Sequence, residues 1–466
     1  MKKHVAEQTV IFFSVTKWLI LSSAVGIMIG ALMSLFLNIL KNAEELRGDL
    51  GFSYYFLLPF ALMLTLWIVR TFDKSATGHG TEKVIEAVHK REGKINITVI
   101  PVKLVATVIT IFAGGSVGKE GPGAQIGAGA ASFAASILNF DAKDRKKLVI
   151  CGISAGFASV FGTPIAGAIF GIEVLIIGVI MYDVLLPSFI AGFAAFTTAQ
   201  FFGVDYTYYD IHFYKTLDLD LLLIGQVVVA GIFFGIVSDA MITGLSKIEK
   251  FLKNFNYNLY LKAFVVGLCM VIVSFFLSDK YLGLGLGVIE DALDPNAFFS
   301  EGISWYDFIM KIIFTGLTLG AGGSGGVVTP IFYVGATSGV AFGHILGDNV
   351  ALFAALGFVS VLAGTTNSPI ASIIMAVELF GVEMAHYAGL SVVIAFLITG
   401  HRSVFASQKI ALTKAENIDV GEGSDIEHTP ISVNMEDIEK IKNIRSKLRY
   451  KRLKWQVKNF KSDKRL

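Results

Sequence analysis

Apolar runs recur along this chain at roughly 11–40, 53–69, 97–113, 147–200, 219–245, 259–278, 305–321, 350–363 and 369–399. Several reach the ~20 residues a helix needs to cross a bilayer, and others fall clearly short. The pattern predicts an all-α polytopic membrane protein. The short runs are the informative ones, because a half-helix ends inside the membrane, where its backbone groups need partners. After about residue 410 the pattern breaks into an acidic connector, ENIDVGEGSDIEHTP, and then a helical pattern from Asn434 that turns strongly basic after Lys440. We therefore divide the chain into an N-terminal segment 1–9, a membrane domain 10–410 and a tail 411–466.

Within the membrane domain, residues 103–128 and 311–336 repeat one another. Lys103 matches Lys311, Thr107 matches Thr315, Ala113-Gly114-Gly115-Ser116 matches Ala321-Gly322-Gly323-Ser324, and Gly118 matches Gly326. A second pair follows each copy: GTPIAGAIFGIEV at 162–174 and NSPIASIIMAVEL at 367–379, each with a Glu nine residues after its Pro. Repeat units of about 10–200 and 219–405 follow. A membrane chain whose halves repeat, with Gly and Pro interrupting corresponding apolar stretches, points to a transport site between the halves.

Charge gives an orientation. The chain is 54% hydrophobic and 16% charged with a formal net charge of +2, less charge than the roughly 25% of soluble domains. The start, MKKH, and the final thirty residues are basic, so both ends are expected in the cytoplasm. The acidic linker 204–220 fits the outside. A first half that starts inside and ends outside makes the second half run the other way, so the repeats are expected to be inverted. The run after residue 9 is too long for a signal-peptide core and is expected to remain as the first membrane helix. Cys151 and Cys269 lie in apolar context and offer no disulfide framework. The basic tail, with Trp455 and Phe460 interleaved, reads as a segment attracted to anionic membrane lipid rather than to nucleic acid.

Pro122, Pro164, Pro330 and Pro369 follow Gly121, Thr163, Thr329 and Ser368, and each opens an apolar run. Ser, Thr or Gly at the N-cap with Pro at the first helical position is a helix-start signature. A helix start carries about half a positive charge and unpaired N–H groups, so it holds an anion without a Lys or Arg. Close packing through small residues also enriches glycine, but it does not account for four such starts paired by repeat.

Glu120 is the sharpest single residue, because an ionisable group in a membrane segment is costly and marks function. At a helix start that attracts anions, its carboxylate can occupy the anion's place, and its protonation or rotation would clear the path. An ion pair with Lys119 is the plainer reading. A phosphate-loop reading of GSVGKEGPG fails, since Ala113 and Glu120 stand where that motif needs Gly and Ser or Thr. Glu173 and Glu378 are expected to satisfy neighbouring backbone donors. Glu82, Glu86 and His89, with Lys83 and Lys90 among them, read as a solvated helix face and not as a metal site.

At these residues the chain resembles the CLC family of chloride channels and chloride/proton exchangers. GKEGP at 118–122 matches its G-[KR]-E-G-P signature, GSGGVVTP at 323–330 resembles its G-x-F-x-P region, and FGTPIAGAIFGIEV at 161–174 resembles the helix after the gate. The resemblance covers most of 10–410. It implies two inverted repeats with broken half-helices meeting at mid-membrane, a homodimer with one pore per subunit, a cell-membrane location, and Glu120 as the gate. It also implies anion contacts at Gly78, His79, Gly80, Gly118, Lys119, Gly121, Gly326, Val327, Val328, Thr329 and Phe405. Three departures stand out. His79 replaces the Ser whose hydroxyl meets the central anion. Phe405 stands where a Tyr hydroxyl is usual, and Val328 replaces the aromatic of G-x-F-x-P. A fourth, Val174, occupies the position of the inner proton-relay acid of the exchangers, which favours a channel over an exchanger.

The reading is therefore transport of chloride or a similar small anion through a pathway gated by Glu120, with proton-coupled exchange as the alternative. It calls for no cofactor. The fluoride-specific branch of the family carries Asn-rich residues after the loop glycine, and Thr81-Glu82 does not match it. A membrane enzyme lacks a paired nucleophile or a metal-spaced His cluster here, and a cation transporter would need more carboxylates.

Overall fold

The computed structural model describes residues 2–206, 208, 221–255, 258–294, 302–347 and 349–415, with 418–419, 423, 425–426 and 432–433 beyond them. The basic run after Lys440 and most of the acidic linker lie outside the described residues. Within them, eight helices are followed by eight more in the same order. The first set is α1 (Lys2–Leu50), α2 (Leu58–Phe72), α3 (Thr81–Lys90), α4 (Val99–Phe112), α5 (Glu120–Ile137), α6 (Ala142–Phe161), α7 (Pro164–Glu173) and α8 (Tyr182–Phe201). The second is α9 (Leu221–Lys253), α10 (Leu259–Phe276), α11 (Leu286–Leu293), α12 (Asp307–Gly320), α13 (Val328–Leu346), α14 (Val350–Thr366), α15 (Pro369–Phe380) and α16 (Met384–Thr399).

Segments in α1, α2, α8, α9 and α10 are long and apolar enough to cross a membrane, whereas α4, α7, α14, α15 and α16 are apolar but shorter. The run 147–200 is three helices rather than one, broken at Gly162-Thr163 and after Glu173, and 369–399 is two. Helices α5 and α13 escape the list of apolar runs because Gly, Ser and Thr dilute them. Those small residues serve packing. A Cβ on Gly127 would lie 2.4 Å from the Gly152 carbonyl oxygen, and one on Gly335 would lie 2.4 Å from that of Gly357. The backbones of α5 and α6, and of α13 and α14, therefore touch directly, as small residues allow between membrane helices.

The halves meet about a two-fold, seen in contacts that survive exchange of the halves. Thr107 Oγ1 lies 3.3 Å from Ser324 Oγ, and Thr315 Oγ1 lies 3.2 Å from Ser116 Oγ. The Ser324 amide donates to Thr110 Oγ1 and the Ser116 amide to Thr318 Oγ1, both at 3.1 Å. These buried hydroxyls satisfy backbone donors that would otherwise stand unpaired at a cost of about 1–3 kcal/mol each.

Candidate functional site

Two of the four proline-marked helix starts differ from expectation. Helices α7 and α15 do begin at Pro164 and Pro369, but Thr163 and Ser368 make no capping bond. Helices α5 and α13 begin two residues before their prolines, at Glu120 and Val328, with Lys119 and Val327 in the cap positions. The third residue of a helix needs no intrahelical acceptor for its N–H, so Pro is tolerated there as well.

The starts of α7 and α15 are already occupied. Glu378 accepts from the Ile165 and Ala166 amides at 3.1 and 2.7 Å, and Glu173 accepts from those of Ile370 and Ala371 at 3.0 and 2.8 Å. Each acid closes the helix of the other repeat. Both starts are therefore closed by a carboxylate from the opposite repeat, which leaves the starts of α3, α5 and α13 to be described.

Those three starts converge. The Gly118 and Gly326 amides donate to each other's carbonyls at 2.7 and 2.6 Å, an antiparallel bridge across the two-fold. A Cβ on Gly121 would sit 2.2 Å from the His79 carbonyl oxygen and 3.0 Å from Gly326 Cα, and one on Gly80 would sit 2.5 Å from the Gly121 carbonyl oxygen. Three chain segments thus pass at backbone contact, which only glycine permits.

Glu120 points across this junction. Its carboxylate accepts from the Thr329 amide at 3.0 Å and from the Thr329 hydroxyl at 2.7 Å, and the residue is 2% exposed. Among the described ion pairs none joins it to Lys119. Glu120, Thr329 and Lys119 line a vestibule of about 410 Å³ together with Phe161, Phe332 and Phe358. Val327 and Val328 are buried at the start of α13.

At the turn before α3 the ring centroids of His79 and Phe405 stand 5.9 Å apart. Among the described residues, buried His79 Nδ1 has no partner, and the His79 and Gly80 amides donate to no group. Lys103, fully buried, donates to the Ala76 and Gly78 carbonyls at 3.1 and 2.6 Å. In a trans peptide N–H and C=O point opposite ways. Holding the Gly78 carbonyl toward Lys103 therefore turns the His79 amide away from it.

Val174 is fully buried, its carbonyl accepting from Gln408 Nε2 at 2.7 Å. The solvated-face expectation for Glu82 and His89 is corrected. Glu82 accepts from the Ser407 amide and hydroxyl, and His89 Nε2 lies 3.0 Å from the Leu175 carbonyl oxygen. Only Glu86 keeps a half-exposed ion pair, with Lys83 at 3.0 Å. The described residues contain no cluster of three His, Cys, Asp or Glu fit for a metal. The parts the sequence reading left unassigned are Lys103 and Gln408. The Lys103–Lys311 match was the available signal for the first, and nothing marked the second.

A match to the family described as voltage gated chloride channel spans residues 60–400. A chloride/fluoride channel protein of Pseudomonas syringae pv. tomato is 34% identical, over 86% of this chain and 88% of its own length. The crystal structure of a CLC-type fluoride/proton antiporter superposes with a TM-score of 0.80 at 29% identity, covering 86% of this chain and 99% of that one. A slow cyanobacterial chloride/proton antiporter has the same fold, with a TM-score of 0.72 at 18% identity over 82% of this chain and 94% of its own.

Proposed function

We propose, because the chain belongs to the voltage-gated chloride channel (CLC) family, that it carries small halide anions across a membrane, with Glu120 as the gate. One observation carries this reading: the Glu120 carboxylate sits on the amide and hydroxyl of Thr329, at the facing start of α13. A carboxylate oxygen and a halide compete for the same donors. Protonating Glu120 removes its charge and weakens its hold on them. The anion then takes its place, and each departure of the acid is linked to a proton.

Fluoride is proposed among the substrates beside chloride. The Pseudomonas relative and the antiporter structure, whose descriptions include fluoride, support it. Proton-coupled exchange is the mode that the two antiporter structures support, whereas the Pseudomonas relative is described as a channel. A channel is the second reading, favoured by the buried Val174 where an exchanger's inner acid would stand. Both termini are proposed to lie in the cytoplasm, and the functional unit is proposed to be a homodimer with one pathway per subunit.

The test is the reversal potential of reconstituted protein under opposing halide and pH gradients, run with fluoride and with chloride. A potential that moves with the pH gradient supports exchange, and one fixed at the halide equilibrium value supports a channel. Glu120→Gln should remove the pH-dependence of flux. Unaltered pH-dependence in that variant would refute the gate.

A further inference from the structure

The turn before α3 has a counterpart before α11 that the sequence repeat does not reveal, since GHG there is answered by GLG here. Gly283 and Gly285 have φ of 59° and 75°, and Gly78 and Gly80 both have 73°. Gly80 and Gly285 each stand immediately before a short helix. Each turn is braced by the matched buried lysine. Lys311 donates to the Tyr281 and Gly283 carbonyls at 3.1 and 2.9 Å, as Lys103 does to Ala76 and Gly78. Among the described residues the Leu284 and Gly285 amides donate to no group, as those of His79 and Gly80 do not.

A second observation at this turn also points to a ligand. Tyr333 is fully buried, and among the described residues its hydroxyl has no hydrogen-bond partner. Its ring packs on Gly285, with Cδ2 and Cε2 at 2.7 and 3.0 Å from where a Cβ would stand. The Lys311 ammonium lies 4.8 Å from the ring centroid and is fully buried, and among the described residues no carboxylate pairs with it. A buried hydroxyl without a partner is costly, and so is a buried cation that carbonyls and a ring solvate but no counter-charge neutralises. A small anion answers both.

The neighbouring charges leave room for it. Asp307 is already engaged by Lys280 and the Tyr281 hydroxyl at 2.7 Å each and by the Ser304 amide at 2.8 Å. Arg47 packs its guanidinium against Gly283 and pairs with Glu44 at 3.7 Å. Lys311 is the charge left over. The same helix opens on the transport route: Leu286 and Ile289 of α11 line the vestibule that holds Glu120 and Thr329.

We propose that the Gly283–Leu286 turn, completed by the Tyr333 hydroxyl, is a second halide seat on the vestibule side, the counterpart of the Gly78–Thr81 turn on the other. It rests on the transport reading for the identity of its ligand. It would raise the local concentration of anion beside the gate.

The experiment is calorimetric titration of the purified full-length protein with sodium fluoride and, separately, sodium chloride, comparing wild type with Tyr333→Phe. Phe keeps the ring on Gly285 and removes only the hydroxyl; Lys311→Met is the second variant. Losing a hydrogen bond to a charged partner should weaken one class of sites about tenfold and leave the rest unchanged. Unchanged binding in all classes overturns the seat, as does uniform weakening of every class, which would make Tyr333 a general support. Wild-type protein that binds neither halide would instead refute the transport reading, and the seat with it.

Discussion

The amides of Gly118 and Gly326 donate to each other's carbonyls, so the loops that lead into α5 and α13 are fastened together by one reciprocal pair of bonds. The pair aligns α5 and α13 so that the acid of one start reaches the donors of the other. A Cβ on Gly326 would meet the Gly121 amide nitrogen at 2.7 Å and the Gly118 carbonyl oxygen at 3.2 Å, and neither atom can swing aside. Gly326→Ala should therefore separate the starts and abolish halide flux, at a stability cost of roughly 1–3 kcal/mol, within the range for overpacking. Flux from reconstituted protein, with the thermal midpoint in detergent, checks both parts. Wild-type flux in this variant would mean the bridge is dispensable.

The Thr329 hydroxyl holds Glu120 in its seat. Thr329→Val keeps the amide donor and the shape but removes the hydroxyl. The loss of a charge-assisted hydrogen bond, about 1.5–3 kcal/mol, should let the acid leave more readily and raise flux at neutral pH by about tenfold or more. Stopped-flow or electrode-monitored efflux from liposomes reads this directly, and slower efflux would count against the gate reading.

Glu173 and Glu378 close each other's helix starts in a membrane-embedded pair. Replacing either by Ala leaves two backbone N–H groups without acceptors, at about 1–3 kcal/mol each. Gln keeps one acceptor oxygen and should cost less. The expected order of thermal midpoints is wild type, Gln, Ala, the same for both acids because their geometry is the same. Equal midpoints for Gln and Ala would show that the carboxylates do not cap.

His79 is where selectivity is expected to be tuned. His79→Ser introduces a hydroxyl donor of the kind usual in the family and removes the ring beside Phe405. The expected result is a shift in favour of chloride, measured as the ratio of chloride to fluoride flux under matched gradients. An unchanged ratio would place selectivity at the Glu120–Thr329 junction instead.

The sequence by itself determined the class of the protein and the pairing of its halves. Apolar length, the run of Gly and Pro, and the copied Ala-Gly-Gly-Ser segments are local facts, legible without coordinates. The same local facts marked Glu120 as costly in a membrane and marked Glu173 and Glu378 as equivalent. They could not separate a helix start that is open to an anion from one already filled. That depends on which carboxylate arrives from 197 to 213 residues away in the chain. Nor could they show that Glu82 and His89 turn inward to Ser407 and Leu175, or that GLG repeats the geometry of GHG. Leu and His differ in chemistry, whereas the turn is set by glycine torsions and a buried lysine. Backbone donors look identical at every position of a sequence. Only tertiary structure decides which of them remain unpaired, because pairing is a property of distance in space.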